Sequence, residues 1–124
     1  MRIALPEGKL ERWRAWQKAA RECGFDLRVL ARHCGVSTRR LHSFFLRDTG
    51  VSPKHWLRWH RALDALQLLR VGHSVKETAY RLHYKQPSHF TRDFRQMMKI
   101  TPSAFVELVK RHRLVSLRAS EIDK

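Results

Sequence analysis

Two stretches of this chain read as one object written twice: residues 31–45, beginning Ala31-Arg32-His33-Cys34-Gly35-Val36-Ser37, and residues 79–94, beginning Ala79-Tyr80-Arg81-Leu82-His83-Tyr84-Lys85. Each copy places a small alanine on a short helix, then a short turn, then a second helix with two apolar anchors four residues apart. The anchors are Leu41 and Phe45 in the first copy and Phe90 and Phe94 in the second. This is a helix-turn-helix pattern. Lining up the anchors leaves Ala31 and Ala79 out of step by one residue, which a single extra residue in the second turn absorbs.

Three further helices surround the two copies. Over residues 9–23 the apolar positions Leu10, Trp13, Trp16, Ala20 and Cys23 form a helical stripe, with Gly24 placed to end it. Asp26 caps a short helix carrying Leu27, Leu30 and Ala31, Gly35 supplies the permissive backbone of the turn, and Ser37 caps a helix that Gly50 closes. On that helix Leu41, Phe44 and Phe45 fall on one side, and Arg39, Ser43 and Arg47 on the other, because each residue advances about 100°. Ser52-Pro53 opens a longer helix running to about Leu69, with Gly72 beyond it. Trp56, Leu63, Leu66 and Leu69, with Trp59 and Ala62 nearby, give it an apolar surface broad enough for both neighbours. Ser74-Val75-Lys76-Glu77 reads as a capping box, Pro87 as a first-turn residue, and Thr101-Pro102 as the start of a last helix to about His112. The expected class is all-α, with seven helices and no strand. Residues 1–8 and 113–124 carry no strong pattern and are expected to be mobile.

Composition narrows the use of such a fold. A chain of 124 residues has room for one compact core or two small ones. Its formal charge of +15 and pI near 11.2 exceed what solubility needs and call for an acidic partner, with nucleic acid first. Residues 1–50 hold 11 Lys+Arg against 5 Asp+Glu, and residues 51–124 hold 15 against 6, so neither half is merely a basic tail. No apolar run can span a bilayer and the first nine residues lack a signal core, so the cytoplasm is expected. Cys23 and Cys34 have no CxxC spacing and are expected as reduced, partly buried thiols. A zinc site from Cys23, His33, Cys34 and another histidine would match no familiar ligand spacing, so no metal or cofactor is expected. Catalysis has no sequence support: the acids are scattered, Asp26 and Glu77 are explained as caps, and no glycine loop cradles a phosphate.

In a helix-turn-helix the N-terminal half of the second helix enters the major groove, about 12 Å wide, and shows its side chains to base edges. The candidate base-reading residues of the first copy are therefore Thr38, Arg39, Arg40, His42 and Ser43. Arg39 leads, because a guanidinium fork bonds guanine O6 and N7 together. In the second copy the matching positions are Ser88, Thr91 and Arg92, with Gln86 and His89 at the start of the helix and Arg92 the expected reader. Arg47, Arg95 and Gln96 lie further along and are expected at the DNA backbone. Phe44, Phe45, Phe90 and Phe94 are expected in the core rather than as a stacking platform. Leu46 falls near the outer face, to touch a thymine methyl or pack on a neighbouring helix.

The pattern resembles the DNA-binding domain of the AraC/XylS family of bacterial transcription regulators over residues 26–105. The features agreeing in order are Leu30-Ala31, Cys34-Gly35-Val36-Ser37, Leu41, Phe45, Gly50, Ser52-Pro53 and Trp56-Leu57. They continue with Arg61, Ala65, Leu68-Leu69, Ser74, Glu77, Ala79, Phe90, Phe94 and Thr101-Pro102-Ser103. The resemblance implies two helix-turn-helix subdomains, residues 1–52 and 73–112, joined by a linker helix over 53–72, with a tail over 113–124. It also implies a sequence-specific regulator that contacts an asymmetric double-stranded DNA site as a monomer, with RNA polymerase as a further candidate partner. Two such helices enter successive major grooves on one DNA face only if they lie about 34 Å apart, so the linker helix would set that distance. The chain departs from the family in having His83-Tyr84 where relatives usually have Gly-Phe, Lys99 where they usually have Gly, and Ala104-Phe105-Val106 where an aromatic-Arg pair is common. His83 and Lys99 then fall at left-handed backbone positions that favour glycine. Other readings are an architectural binder with little sequence preference, and a protein-interaction module using Trp13, Trp16, Trp56 or Trp59.

Overall fold

Capping residues set most of the helix boundaries. A computed structural model describes residues 8–122 and contains, among them, seven helices and no strand. They are α1 (Lys9–Glu22), α2 (Leu27–Cys34), α3 (Thr38–Thr49), α4 (Pro53–Arg70), α5 (Val75–Arg81), α6 (Pro87–Met98) and α7 (Pro102–Ile122). Asp26 accepts from the amides of Arg28 and Val29, Ser37 from Arg40, Ser52 from His55, Ser74 from Glu77 and Thr101 from Ala104. Each of these bonds satisfies an amide that the helix itself cannot. The capping box at Ser74 is only half made, because the Glu77 carboxylate turns instead to His73 Nδ1 at 3.1 Å and to Arg81. The hydrogen bond from His73 is the main reason the Glu77 carboxyl titrates below its ordinary range.

The turns explain the one-residue offset between the copies. In the first, Gly35 is left-handed (φ 69°) and the Val36 amide reaches back to the Ala31 carbonyl at 3.0 Å. In the second, His83 is left-handed (φ 67°) and the Tyr84 amide reaches back to the Ala79 carbonyl at 3.0 Å. The two turns are therefore identical through Val36 and Tyr84. Ser37 then caps α3 directly, whereas Lys85 intervenes before Gln86, the residue that precedes α6. Lys85 is the inserted residue. Tyr84 holds the longer turn in place by packing on Phe90, with ring centroids 5.5 Å apart, and by donating its hydroxyl to Asp93 at 3.1 Å. Lys99, which ends α6, is also left-handed (φ 62°). Because an L side chain pays for that conformation, His83→Gly and Lys99→Gly are each expected to raise the unfolding free energy by up to about 1 kcal/mol, net of glycine's added chain entropy. A shift of the urea midpoint at unchanged slope measures it.

The chain divides into two compact units, Met1–Arg61 and Ala62–Lys124, with the division inside α4. The helix expected as a linker over 53–72 is thus shared between them. Pro53, Trp56 and Leu57 are buried in the first unit, and Ala62, Ala65 and Leu69 are buried on the second unit's side. The first core gathers Trp16, Ala20, Leu30, Ala31, Leu41 and Phe45. Phe45 is fully buried, 4.3 Å from the Trp16 ring and 5.5 Å from that of Trp56. Two of the four tryptophans considered for a protein-interaction surface are therefore core: Trp16 and Trp56 are 3% and 2% exposed, because α1 and α4 close over the aromatic side of α3. Trp13 and Trp59 remain exposed. In the second unit Phe90 and Phe94 are buried and in contact at 5.7 Å, and Phe94 meets Phe105 of α7 at 6.3 Å.

A partly buried polar link ties α1 to α3 in the first unit. Arg12 Nε of α1 meets Asp48 Oδ1 of α3 at 3.0 Å, and Trp16 Nε1 donates to Asp48 Oδ2 at 3.4 Å. Asp48→Ala removes both acceptors and is expected to cost about 1–2 kcal/mol, read as a fall in the thermal midpoint.

The last helix runs to Ile122 rather than ending near His112, so most of the expected tail is helical. Arg113, Leu114, Leu117, Arg118 and Ala119 favour helix, and neither glycine nor proline interrupts them. Residues 1–7, where the other mobile end was expected, and the side chain of Leu10 lie outside the described residues. Among the described residues no helix is long and apolar enough to cross a membrane, and no group of three or more His, Cys, Asp or Glu comes together to hold a metal. Cys23 and Cys34 are free and buried, and burial is the main cause that raises both thiols.

Candidate nucleic-acid interface

The buried anchors decide what the two second helices present outward. With Leu41 and Phe45 turned into the first core, the helical advance carries Arg39, Arg40, His42, Ser43, Leu46 and Arg47 onto the opposite arc. All six are exposed, as is Thr38 at the start of the helix. With Phe90 and Phe94 buried, α6 presents Ser88, His89, Thr91, Arg92, Arg95 and Gln96 in the same way. All are exposed except the half-buried Thr91, and Gln86 is exposed just before the helix. Leu46 is 46% exposed, so it packs on no neighbouring helix closely enough to be covered. Its counterpart on α6 is Arg95, seven residues beyond Ser88 as Leu46 is seven beyond Arg39.

Each row borders an open cleft. Arg39, Arg40, Ser43 and Arg47 line one of about 510 Å³ together with Ser37; Thr38 and His42 are exposed but do not line it. Ser88, Thr91, Arg92, Arg95 and Gln96 line one of about 530 Å³ together with Thr101; Gln86 and His89 do not. Ser37 and Thr101 were legible only as helix caps, and both also form part of a cleft wall. The two clefts differ in chemistry. The α6 cleft has only hydroxyl, amide and guanidinium side chains, whereas the α3 cleft has an apolar floor that includes Trp16, Leu41 and Phe44.

The charges on these rows are open. Arg12 and Arg81 are paired with Asp48 and Glu77, but among the described residues Arg39, Arg40, Arg47, Arg92 and Arg95 have no carboxylate partner. Ser43 donates its hydroxyl to the Arg39 carbonyl at 3.4 Å, which leaves its oxygen as an acceptor. Each unit thus offers a rigid helix whose outward row combines guanidinium donors with short hydroxyl side chains. That combination can hold anionic backbone and hydrogen-bond base edges.

Comparison with known proteins identifies the family and the fold. A family model described as a helix-turn-helix domain matches residues 30–108. The HTH-type transcriptional activator RhaS of Salmonella schwarzengrund is 32% identical over 99 residues, which are 77% of this chain and 35% of that protein. The chain therefore spans about a third of the length of the curated relatives it matches. Among solved structures, the DNA-binding domain of AdpA, a global transcriptional factor crystallised in complex with a target DNA, is 28% identical with a TM-score of 0.71. It covers 81% of this chain and 94% of its own. A probable AraC family transcriptional regulator from Rhodopseudomonas palustris shares the fold at 24% identity and a TM-score of 0.59, covering 77% of this chain and 94% of its own. With the duplicated helix-turn-helix, its turns and its outward rows in place, the chain belongs to the AraC/XylS family of helix-turn-helix transcription regulators.

Proposed function

We propose that the protein is a sequence-specific regulator of transcription that binds double-stranded DNA as a monomer on an asymmetric site, inserting α3 and α6 into successive major grooves. The observation that carries this reading is the repetition, in two units, of one outward row of unpaired arginines and hydroxyls on a helix braced from behind by two buried apolar anchors. The excess of 26 Lys+Arg over 11 Asp+Glu supplies affinity through phosphates, and Thr38, Arg39, Arg40, His42, Ser43, Gln86, Ser88, His89, Thr91 and Arg92 supply discrimination. Arg47, Arg95 and Gln96 serve the DNA backbone. The relatives named as transcriptional activators support a second contact, with RNA polymerase, and a regulator of bacterial transcription would act in the cytoplasm.

Selection of preferred sites from a random pool of DNA duplexes tests the reading. Two conserved blocks with centres about one helical turn apart, roughly 34 Å, are expected. A single block would remove α6 or α3 from base reading. An unenriched pool bound with comparable affinity throughout would make the protein an architectural binder.

A further inference from the structure

The cleft beside α3 is built for more than a phosphate backbone. Its floor is apolar, formed by Trp16, Cys34, Val36, Leu41 and Phe44, while the cleft beside α6 has no apolar side chain at all. The floor is also fixed in place. Trp16 is 3% exposed, packs against Phe44 at 5.9 Å and Phe45 at 4.3 Å, and is tied through its indole nitrogen to Asp48. A volume of about 510 Å³ lies within the range of small-molecule sites.

The polar groups narrow the chemistry. The hydroxyls of Ser37 and Ser43 are engaged within the chain, one accepting from the Arg40 amide and the other donating to the Arg39 carbonyl. The cations of the cleft are Arg39, Arg40 and Arg47, none with a carboxylate partner among the described residues; Arg40 and Arg47 flank Phe44 on the same side of α3, whereas Arg39 lies about 100° further round the helix. Arg40 and Arg47 stand seven residues apart, about 10 Å along the helix axis, so two extended arginine side chains can converge on one anion between them. An apolar floor with an aromatic wall under a pair of open guanidiniums suits a flat hydrophobic body carrying one carboxylate.

We propose that this cleft binds a small aromatic carboxylate, its ring against the half-buried Val36 and Phe44 and its carboxylate on Arg40 and Arg47, and that the bound anion excludes DNA from α3. The second half of the proposal rests on the DNA-binding reading above. The regulatory ligand would then act at the reading helix itself, because Arg39 and Arg40 border the cleft and also face the groove.

The test uses the full chain, with naphthoate as probe and the uncharged naphthalene carboxamide as its shape-matched control. Without DNA, naphthoate is expected to give saturable nuclear magnetic resonance shifts at the Trp16 indole and at the amides of Val36, Ser37 and Ser43. The amide control, and naphthoate on Arg40→Met or Arg47→Met, should bind about tenfold more weakly or worse, since the charged contact is lost. Separately, the apparent Kd for a selected duplex, followed by fluorescence anisotropy, should rise linearly with naphthoate concentration from its value without naphthoate. Equal binding of the carboxamide, or no shift at these groups at millimolar naphthoate, would overturn the site. Saturating naphthoate with unchanged DNA affinity would overturn the competition. Naphthoate binding by a chain that binds no duplex would support the cleft while removing the function proposed for the protein.

Discussion

Phe45→Ala is expected to lower the unfolding free energy of the first unit by about 3–5 kcal/mol, the usual cost of truncating a buried phenylalanine. The ring is fully buried between Trp16 and Trp56, so its removal leaves a cavity lined by two large indoles that cannot collapse into it. Against a typical total of about 5–15 kcal/mol, a loss of that size is a large part of the whole. Phe45→Leu should cost less, because it keeps most of the buried volume. The measurement has a built-in reporter. All four tryptophans lie within Met1–Arg61 and both tyrosines lie within Ala62–Lys124, so tryptophan fluorescence follows the first unit alone. Urea unfolding followed at the tryptophans should shift to a lower midpoint for Phe45→Ala. A loss of less than about 1 kcal/mol would mean that the three-ring cluster is not what holds the first unit together.

The same residue shows why so much of the fold was legible. Phe45 and Leu41 are four apart, Phe94 and Phe90 are four apart, and a turn whose chemistry is local precedes each pair. Caps and left-handed turn residues act over a few positions, so Asp26, Ser37, Gly50, Ser74 and Thr101 could be placed before any contact was known. The departures at His83 and Lys99 were readable only through the family resemblance, whose usual glycines mark the two positions as left-handed, and both are left-handed here.

Features that depend on long-range packing were less accessible. Helical periodicity puts Trp13 and Trp16 on one stripe, but it does not reveal that Trp16 is covered by Phe44 and Phe45 while Trp13 stays at the rim. The link from Arg12 to Asp48 spans 36 positions and has no local signature. The end of α7 was missed for another reason: the absence of an apolar stripe after His112 suggested a tail, although nothing in residues 113–122 stops a helix once it is formed. At the candidate site, the outward rows followed from the anchors. The contrast between an apolar floor beside α3 and a wholly polar cleft beside α6 did not, because it depends on which side chains of α1 and the turn come to stand beside each row.

That contrast sharpens the expected division of labour between the arginines. Arg39 is the second residue of α3, near the end of the helix that would penetrate the groove, and its counterpart on α6 is the short Ser88. Arg92 is the sixth residue of α6 and corresponds to Ser43, so the second unit would place its guanidinium one turn deeper along its helix. If each fork bonds a guanine, Arg39→Ala and Arg92→Ala should each cost about 1–3 kcal/mol on the selected duplex, roughly five- to 150-fold in Kd, with far less loss on random duplex. The larger loss is expected at Arg39, where Arg40 and His42 border the same groove face. Arg47→Ala and Arg95→Ala should behave differently, weakening all duplexes alike and reducing the salt slope of log K by about one each, as a lost phosphate contact does. Anisotropy titrations of the four variants on selected and random duplexes, across a range of salt concentrations, separate the two classes. If Arg39→Ala and Arg92→Ala weakened both duplexes equally, these residues would join Arg47 and Arg95 at the phosphates. Base reading would then have to come from the remaining candidates, Thr38, Arg40, His42 and Ser43 in the first unit and Gln86, Ser88, His89 and Thr91 in the second.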